Sequence, residues 1–195
     1  YEDEDFEDEN CFKIIYTGSI RRANGLDELI DSAVLMKENQ KIKFLIYGDG
    51  DYRVRLQEKV EQNRLENVVF KGKVDKNKIP FILSESDLNL LNYNAAAASS
   101  GFYRFGSSQN KLFEYFASGK PVLSNFKPRY DLIERYHCGV SKNMTDEEYY
   151  EKCLKEFKDI SSEENRKMCM NAKKAAQDYD FKKLTQDLID VIEAL

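Results

Sequence analysis

The sequence predicts a doubly wound α/β domain, in which helices cover both faces of a parallel sheet. Short apolar runs rich in β-branched and aromatic residues alternate with segments whose apolar residues recur at helical spacing. Glycine turns follow the first two runs, at Gly18 and at residues 48–50. Because parallel strands need a crossover of about a dozen residues, the alternation indicates strand–helix units rather than hairpins. Ligands of such sheets bind at the carboxyl ends of the strands, so candidate site residues should follow strands.

The elements follow from this alternation in chain order. Strands are predicted at residues 12–16, 42–47, 67–70, 88–91, 121–123 and 139–140. Helices are predicted near residues 26–33, 54–60, 79–83, 111–117, 131–136, 145–159, 162–177 and 181–195. Gly119 ends the fourth helix, since glycine readily adopts the conformation that closes a helix. The chain therefore finishes in a helical tail, and the core of the fold is a parallel sheet.

Composition predicts one folded domain after an acidic leader. The first ten residues carry seven carboxylates, against a net charge of −5 for all 195 residues. We interpret residues 1–11 as an acidic linker and residues 12–195 as the domain with its C-terminal helices. The leader and the run 95–100 are expected to be poorly ordered, and for the run, which lies in a loop of about fifteen residues, a functional role is the alternative. The leader also lacks the cationic and apolar regions of a signal peptide, which favours a cytoplasmic protein.

Composition also argues against several classes of function. The body of the chain is nearly balanced in charge, so the concentrated basic face of a nucleic-acid-binding protein is not expected. Apolar runs are strand-sized and much shorter than the roughly 20 residues of a membrane-spanning helix. The four cysteines are far apart and form no CxxC pair, so neither a zinc site nor a disulfide framework is indicated.

The turn after the first strand is a candidate anion site. Gly18 and Ser19 precede the pair Arg21-Arg22, and a glycine lets the backbone approach a ligand while arginines pair with phosphate. A connecting loop with solvated arginines is the alternative. The turns at Gly48 and Gly72 also have two interpretations. Each could allow close packing against a ligand, and each could be a purely structural turn.

The most informative segment is 106–123, where polar residues precede a helix that leads into a strand. The free N–H groups and the dipole of a helix N-terminus favour phosphate, and Lys111 adds a full positive charge there. Glu114 lies three residues later, and its carboxylate could accept hydrogen bonds from both hydroxyls of a ribose. A surface ion pair between the two side chains is the alternative.

These segments together resemble a known family. GSIRRANGLDELIDSA, FLIYGDGD, NVVFKGKV, ESDLNLL and NKLFEYFASGKPVL are similar, in this order, to the C-terminal domain of glycosyltransferase family 4 enzymes, also called glycosyl transferases group 1. The resemblance covers residues 12–141, and the helical tail is also similar. The form NKLFEYFASGKPVL is particularly similar to enzymes that build bacterial capsule, O-antigen and other surface polysaccharides. A Rossmann-like half of a GT-B fold is thus implied.

The resemblance also implies which residues form the site. Arg22 and Lys111 are implied as the catalytic cations. The residues implied to bind the nucleotide-sugar donor are Gly18, Ser19, Arg21, Gly48, Gly72, Val74, Asn110, Leu112 and Glu114. The family often has two glutamates eight positions apart, and Gly106 occupies the place of the first. Asn110 and Lys111 are therefore expected to take over phosphate and sugar contacts.

The resemblance implies an enzyme that transfers a sugar from a nucleoside-diphosphate sugar and retains the anomeric configuration of that sugar. UDP is the expected nucleotide of the donor, and no metal or other cofactor is expected. The acceptor, a saccharide or a lipid-linked molecule, would be bound by an N-terminal domain preceding the acidic linker, so this chain alone is expected to be inactive. Peripheral association of the full enzyme with the inner face of the plasma membrane is compatible with such an acceptor. A non-catalytic nucleotide-binding or interaction module with the same fold is the alternative, suggested by Gly106.

Overall fold

The computed structural model describes residues 3–8, 10–94, 110–144 and 146–194. Its centre is a six-stranded sheet in the order β3-β2-β1-β4-β5-β6, and every pair of neighbouring strands is parallel. The strands are β1 Phe12–Thr17, β2 Ile42–Tyr47, β3 Val68–Gly72, β4 Leu88–Leu91, β5 Val122–Ser124 and β6 Gly139–Ser141. This order reverses direction at β1 and β4, as in dinucleotide-binding sheets, and it confirms the predicted fold class.

Helices connect the strands and close the chain. They are α1 Leu26–Leu35, α2 Arg53–Asn63, α3 Ile79–Ser84, α4 Asn110–Ser118, α5 Leu132–Tyr136, α6 Glu147–Asp159, α7 Ser162–Asp178 and α8 Phe181–Glu193. Side chains cap the start of the last four: Asp131, Asp146, Ser161 and Asp180 each accept a hydrogen bond from a first-turn amide. The predicted boundaries agree with these to within a few residues.

The sheet separates two apolar layers, because successive strand residues face opposite sides. On one face Ile14 and Tyr16 of β1 pack with α1, α2 and α6. On the other face Ile15 packs with α3, α4, α5 and α7. Helix α4 contributes Leu112 and Tyr115 to this second layer, and both are buried. The packing fixes the start of α4 beside the carboxyl end of β1.

The terminal helix α8 differs from the others because none of its residues is buried. Its apolar side chains remain exposed, including Phe181 at 84% and Leu188 at 60%. Among the described residues, no helix is both long and apolar enough to cross a membrane.

The acidic leader corrects one expectation. Residues 3–8 are ordered and begin with a short 3-10 helix, Glu4–Phe6. Asp3 accepts hydrogen bonds from Lys71 Nζ at 2.6 Å and from Tyr47 Oη at 3.0 Å, and Asp5 accepts one from Lys43 Nζ at 2.8 Å. Burial raises the pKa of both aspartates, but these hydrogen bonds outweigh it and hold each pKa below its usual value. The prediction of poor order is therefore wrong for residues 3–8, while the linker role stays a prediction.

Candidate functional site

A cleft of about 710 Å³ opens at the carboxyl edge of β1, β2 and β3, where the turns after these strands meet the first turn of α4. The turns after β1 and β2 contribute Thr17, Gly18, Ser19, Tyr47, Gly48, Asp49 and Gly50. The segment after β3 contributes Lys73, Val74, Lys76 and Ile79, and α4 contributes Lys111 and Glu114. The cleft thus lies at the edge where ligands of doubly wound sheets bind.

The floor of the cleft is built from two turns in very close contact. Gly18 N donates to Tyr47 O at 3.0 Å, and Gly48 N donates to Gly72 O at 2.8 Å. A Cβ added to Gly48 would lie 1.7 Å from Gly18 O, and the φ of Gly48 is +136°. Glycine is therefore required at position 48 both by space and by backbone conformation. Gly72 does not line the cleft, but its carbonyl holds the turn in place.

Lys111 brings a partly buried amine to the floor of this cleft. Its Nζ donates to Tyr16 Oη at 3.0 Å and lies 4.4 Å from the centroid of the Tyr16 ring. A Cβ on Gly18 would lie only 3.1 Å from the same Nζ, so the ammonium sits directly against the first glycine turn. Burial lowers the pKa of Lys111 to about 8, against the opposing attraction of Glu114. Lys111 is thus largely protonated at neutral pH, yet poorly hydrated.

The first turn of α4 is anchored to β1 by a buried tyrosine. Tyr115 Oη accepts a hydrogen bond from Thr17 N at 3.1 Å, and burial raises the pKa of Tyr115 to about 12. Because α4 begins at Asn110, the amides of Asn110, Lys111 and Leu112 have no acceptor within the helix. These amides and the helix dipole favour an anion beside the Lys111 ammonium.

The structure brings together most, but not all, of the predicted site residues. Six of them line the cleft: Gly18, Ser19, Gly48, Val74, Lys111 and Glu114. Asn110 is exposed at the start of α4, whereas the Leu112 side chain is buried in the core, so only its amide is available to a ligand.

The two predicted arginines are placed differently. Arg21 and Arg22 are exposed and are not among the residues that line the cleft. The chain turns at this point because Ile20 is buried and its amide donates to Asp49 O at 2.9 Å, after which Arg22–Asn24 forms a short 3-10 helix. The catalytic role of Arg22 stays a prediction, and the positive charge seen at the cleft comes from lysines.

Lys73 and Lys76 are cleft residues that the sequence reasoning did not select. Both follow β3, so the rule that ligand-binding residues come after strands could have identified them.

The sequence also offered no reason to select Tyr16 as a site residue. It lies within a strand and is fully buried, so its pattern is that of an ordinary core residue. Only the packing of α4 against β1 reveals the contact with Lys111.

Several residues considered from the sequence lie outside the described part of the chain. They are the run 95–100, the aromatic residues Phe102, Tyr103 and Phe105, and Gly106.

A second cavity, of about 440 Å³, lies at the opposite edge of the sheet. It is lined by residues that flank the amino ends of β2 and β3, among them Lys43, Arg64 and Asn67. This edge adjoins the C-terminal end of α2, where the helix dipole disfavours an anion. The candidate anion site is therefore the cleft at the carboxyl edge.

Comparisons with known proteins agree with this architecture. The profile of the family described as Glycosyl transferases group 1 matches residues 2–177. No curated protein sequence matches the chain. Many solved structures do, and three of them illustrate the likeness.

HepE (Alr3699) from Anabaena, in complex with UDP, has a TM-score of 0.78 at 18% identity over 95% of this chain and 50% of its own. TarM from S. aureus, solved as a point mutant with fondaparinux, α-GlcNAc-glycerol and UDP, has a TM-score of 0.74 at 16% identity over 93% of this chain and 35% of its own. WaaG, a glycosyltransferase involved in lipopolysaccharide biosynthesis, has a TM-score of 0.71 at 20% identity over 94% of this chain and 47% of its own. At these identities the likeness shows the fold, and the chain spans half or less of each of these proteins.

Proposed function

This chain belongs to the glycosyl transferases group 1 family, as its motifs predicted, and from that premise we propose that it is the donor-binding domain of a retaining glycosyltransferase. The donor is a nucleoside-diphosphate sugar, with UDP as the favoured nucleotide. The presence of UDP in the HepE and TarM structures supports this choice. The acceptor is a saccharide or a lipid-linked molecule of a surface polysaccharide, and a further domain of the enzyme binds it.

One observation carries the proposal: the Lys111 ammonium is held against Gly18 at the N-terminal end of a helix, inside a cleft at the carboxyl edge of the sheet. A diphosphate placed there meets the amides of the first helical turn and a cation with little competing water. Glu114 lines the same cleft, in reach of a ribose. Val74 and Ile79 provide the apolar contacts that a base needs.

The same arrangement supplies the chemistry of transfer. When the bond between the sugar and the diphosphate breaks, negative charge builds up on the leaving diphosphate, which accepts the proton of the acceptor hydroxyl as the new bond forms on the same face. Fixed cations and amides stabilise such a charge without a protein nucleophile. Lys111 performs this role at the floor of the cleft, and the exposed Lys73 and Lys76 add positive charge at its opening.

Calorimetric titration of this chain with uridine, UMP and UDP tests the proposal. We expect affinity to rise at each added phosphate, by roughly 10-fold per step at low salt, because each phosphate gains contact with the helix N-terminus and Lys111. ADP and GDP serve as controls for the base. Uridine binding as tightly as UDP would place the affinity away from Lys111, and no binding of any nucleoside diphosphate at millimolar concentration would contradict the proposed function.

A further inference from the structure

Tyr16 lies between Lys111 and the turn that follows β1. Its ring is fully buried in the core, and its hydroxyl contacts Ser19 and Lys111, which line the cleft. Tyr16 Oη donates to Ser19 O at 2.7 Å and accepts the hydrogen bond from Lys111 Nζ at 3.0 Å. One buried side chain therefore joins the cation of α4 to the glycine turn of β1.

We propose that Tyr16 is a positioning residue for donor binding, which holds the Lys111 ammonium against the glycine turn at the place where the diphosphate binds. The inference rests on the proposed function for the identity of the ligand. It assigns to a strand residue a role that neither the family motifs nor its burial suggests. Tyr16 itself does not line the cleft, and it acts through Lys111.

The directions of the two hydrogen bonds support this role. Since the hydroxyl proton of Tyr16 is directed to Ser19 O, the oxygen presents its lone pairs to Lys111 and stabilises the charged amine. Burial raises the pKa of Tyr16, so the hydroxyl keeps its proton and its direction. The same peptide is held on its other side, because Ile20 N donates to Asp49 O at 2.9 Å. The peptide between Ser19 and Ile20 is thus held by β1 on one side and by the turn after β2 on the other.

The ring of Tyr16 adds a second interaction. Lys111 Nζ lies 4.4 Å from the ring centroid, a distance at which the face of an aromatic ring attracts a cation. Within the described part of the chain, Tyr16 is the single hydrogen-bond acceptor of this amine. An ammonium has three N–H donors, so two are left for a ligand in the cleft. Tyr16 therefore orients the amine without saturating it.

Other charged groups around Lys111 act less directly. Glu114, on the same helix, attracts the ammonium through charge alone and is exposed. Asp49, Lys73 and Lys76 line the same cleft as Lys111, and all three are exposed. Solvent screens these exposed groups, whereas the hydrogen bond that Lys111 Nζ donates to Tyr16 Oη is partly buried, so loss of the Tyr16 hydroxyl should change the titration of Lys111 more than loss of any one of these charges.

The test compares Tyr16→Phe with Tyr150→Phe. Phenylalanine keeps the ring and removes the hydroxyl. Tyr150 is a matched control, because it is buried in the same core cluster and its hydroxyl bonds only to Asn92 Oδ1 among the described residues. Titration of ¹³Cε-labelled lysine by NMR in the ligand-free protein, with Lys111 assigned from Lys111→Arg, measures the midpoint directly.

In the wild type we expect a midpoint of about pH 8. In Tyr16→Phe we expect it to be lower by about one unit, since a hydrogen bond to a charged donor is worth that much, and in Tyr150→Phe we expect no change. UDP binds the protonated amine, so affinity falls as pH rises through the midpoint. Relative to wild type, Tyr16→Phe should therefore lose about fivefold more UDP affinity at pH 8 than at pH 6.

The outcomes separate this inference from the proposed function. An unchanged Lys111 midpoint in Tyr16→Phe would overturn the inference whether or not UDP binds. A shifted midpoint in a protein that binds no nucleoside diphosphate would overturn the donor-binding role together with the proposed function. If Tyr16→Phe fails to fold, the wild-type protein still tests the contact between Tyr16 and Lys111. The Tyr16 ¹³Cζ chemical shift should change as Lys111 titrates, and a chemical shift that does not change would refute the contact.

Discussion

Replacing Lys111 by alanine is expected to weaken UDP binding by roughly 10- to 100-fold at pH 7, the loss typical of a charged hydrogen bond in a partly desolvated site. The effect should be large because the amine is buried against Gly18 and Tyr16 rather than extended into water. Calorimetry of wild type and variant with UDP measures it directly. Chemical unfolding of both proteins shows whether the loss reflects binding or folding.

Two further variants make the Lys111 result specific. Lys111→Met keeps most of the side-chain volume and removes the charge, so it should lose as much UDP affinity as Lys111→Ala. Lys76→Ala removes an exposed lysine from the same cleft, and solvent screening should limit its effect to a few-fold. If Lys111→Met bound UDP like the wild type, or if Lys76→Ala lost as much affinity as Lys111→Ala, the buried amine would not be the principal diphosphate contact.

The second large effect is expected at Gly48. An alanine Cβ there would lie 1.7 Å from Gly18 O, at a φ of +136° that other residues rarely adopt. Contact with a fixed backbone atom and an unfavourable φ together should reduce the free energy of unfolding by more than about 3 kcal/mol. Urea denaturation measures this change, and a variant too unstable to purify is the extreme form of the same result.

Gly72 provides the matched control for Gly48. Its φ is also positive, at +74°, but a Cβ there would meet nothing closer than Arg53 Nη1 at 3.6 Å. Gly72→Ala should therefore cost only the backbone strain, about 1 kcal/mol. Equal losses in the two variants would mean that the close approach of the β1 and β2 turns is not what requires glycine at Gly48.

The sequence predicted the fold because its signals are local. Alternating apolar segments and glycine turns identify parallel strand–helix units, and the start of α4 is marked by Asn110-Lys111 and its end by Gly119. The same local signals placed Lys111 and Glu114 at one edge of the sheet, where the structure also has them. Each of these inferences needs only residues that are close in sequence.

The features that the sequence did not predict depend on contacts between residues that are far apart in sequence. The acidic composition of the leader indicated disorder. That prediction failed because the lysines that bind Asp3 and Asp5 lie far away in sequence, on β2 and β3. Tyr16 has the pattern of a core residue, and its contact with Lys111 spans 95 positions. The exposed positions of Arg21 and Arg22 also depend on a distant contact, since Ile20 is buried and its amide donates to Asp49 O; the catalytic role of Arg22 stays a prediction.

The most direct test of the central claim is a crystal structure of this chain with UDP. We expect the diphosphate to lie between the turn at Gly18 and the first turn of α4, within hydrogen-bond distance of Lys111 Nζ, and the ribose to contact Glu114. UDP bound elsewhere, such as in the cavity at the amino ends of β2 and β3, would contradict the claim that this cleft holds the nucleotide. So would an empty cleft at a UDP concentration that saturates the protein in solution.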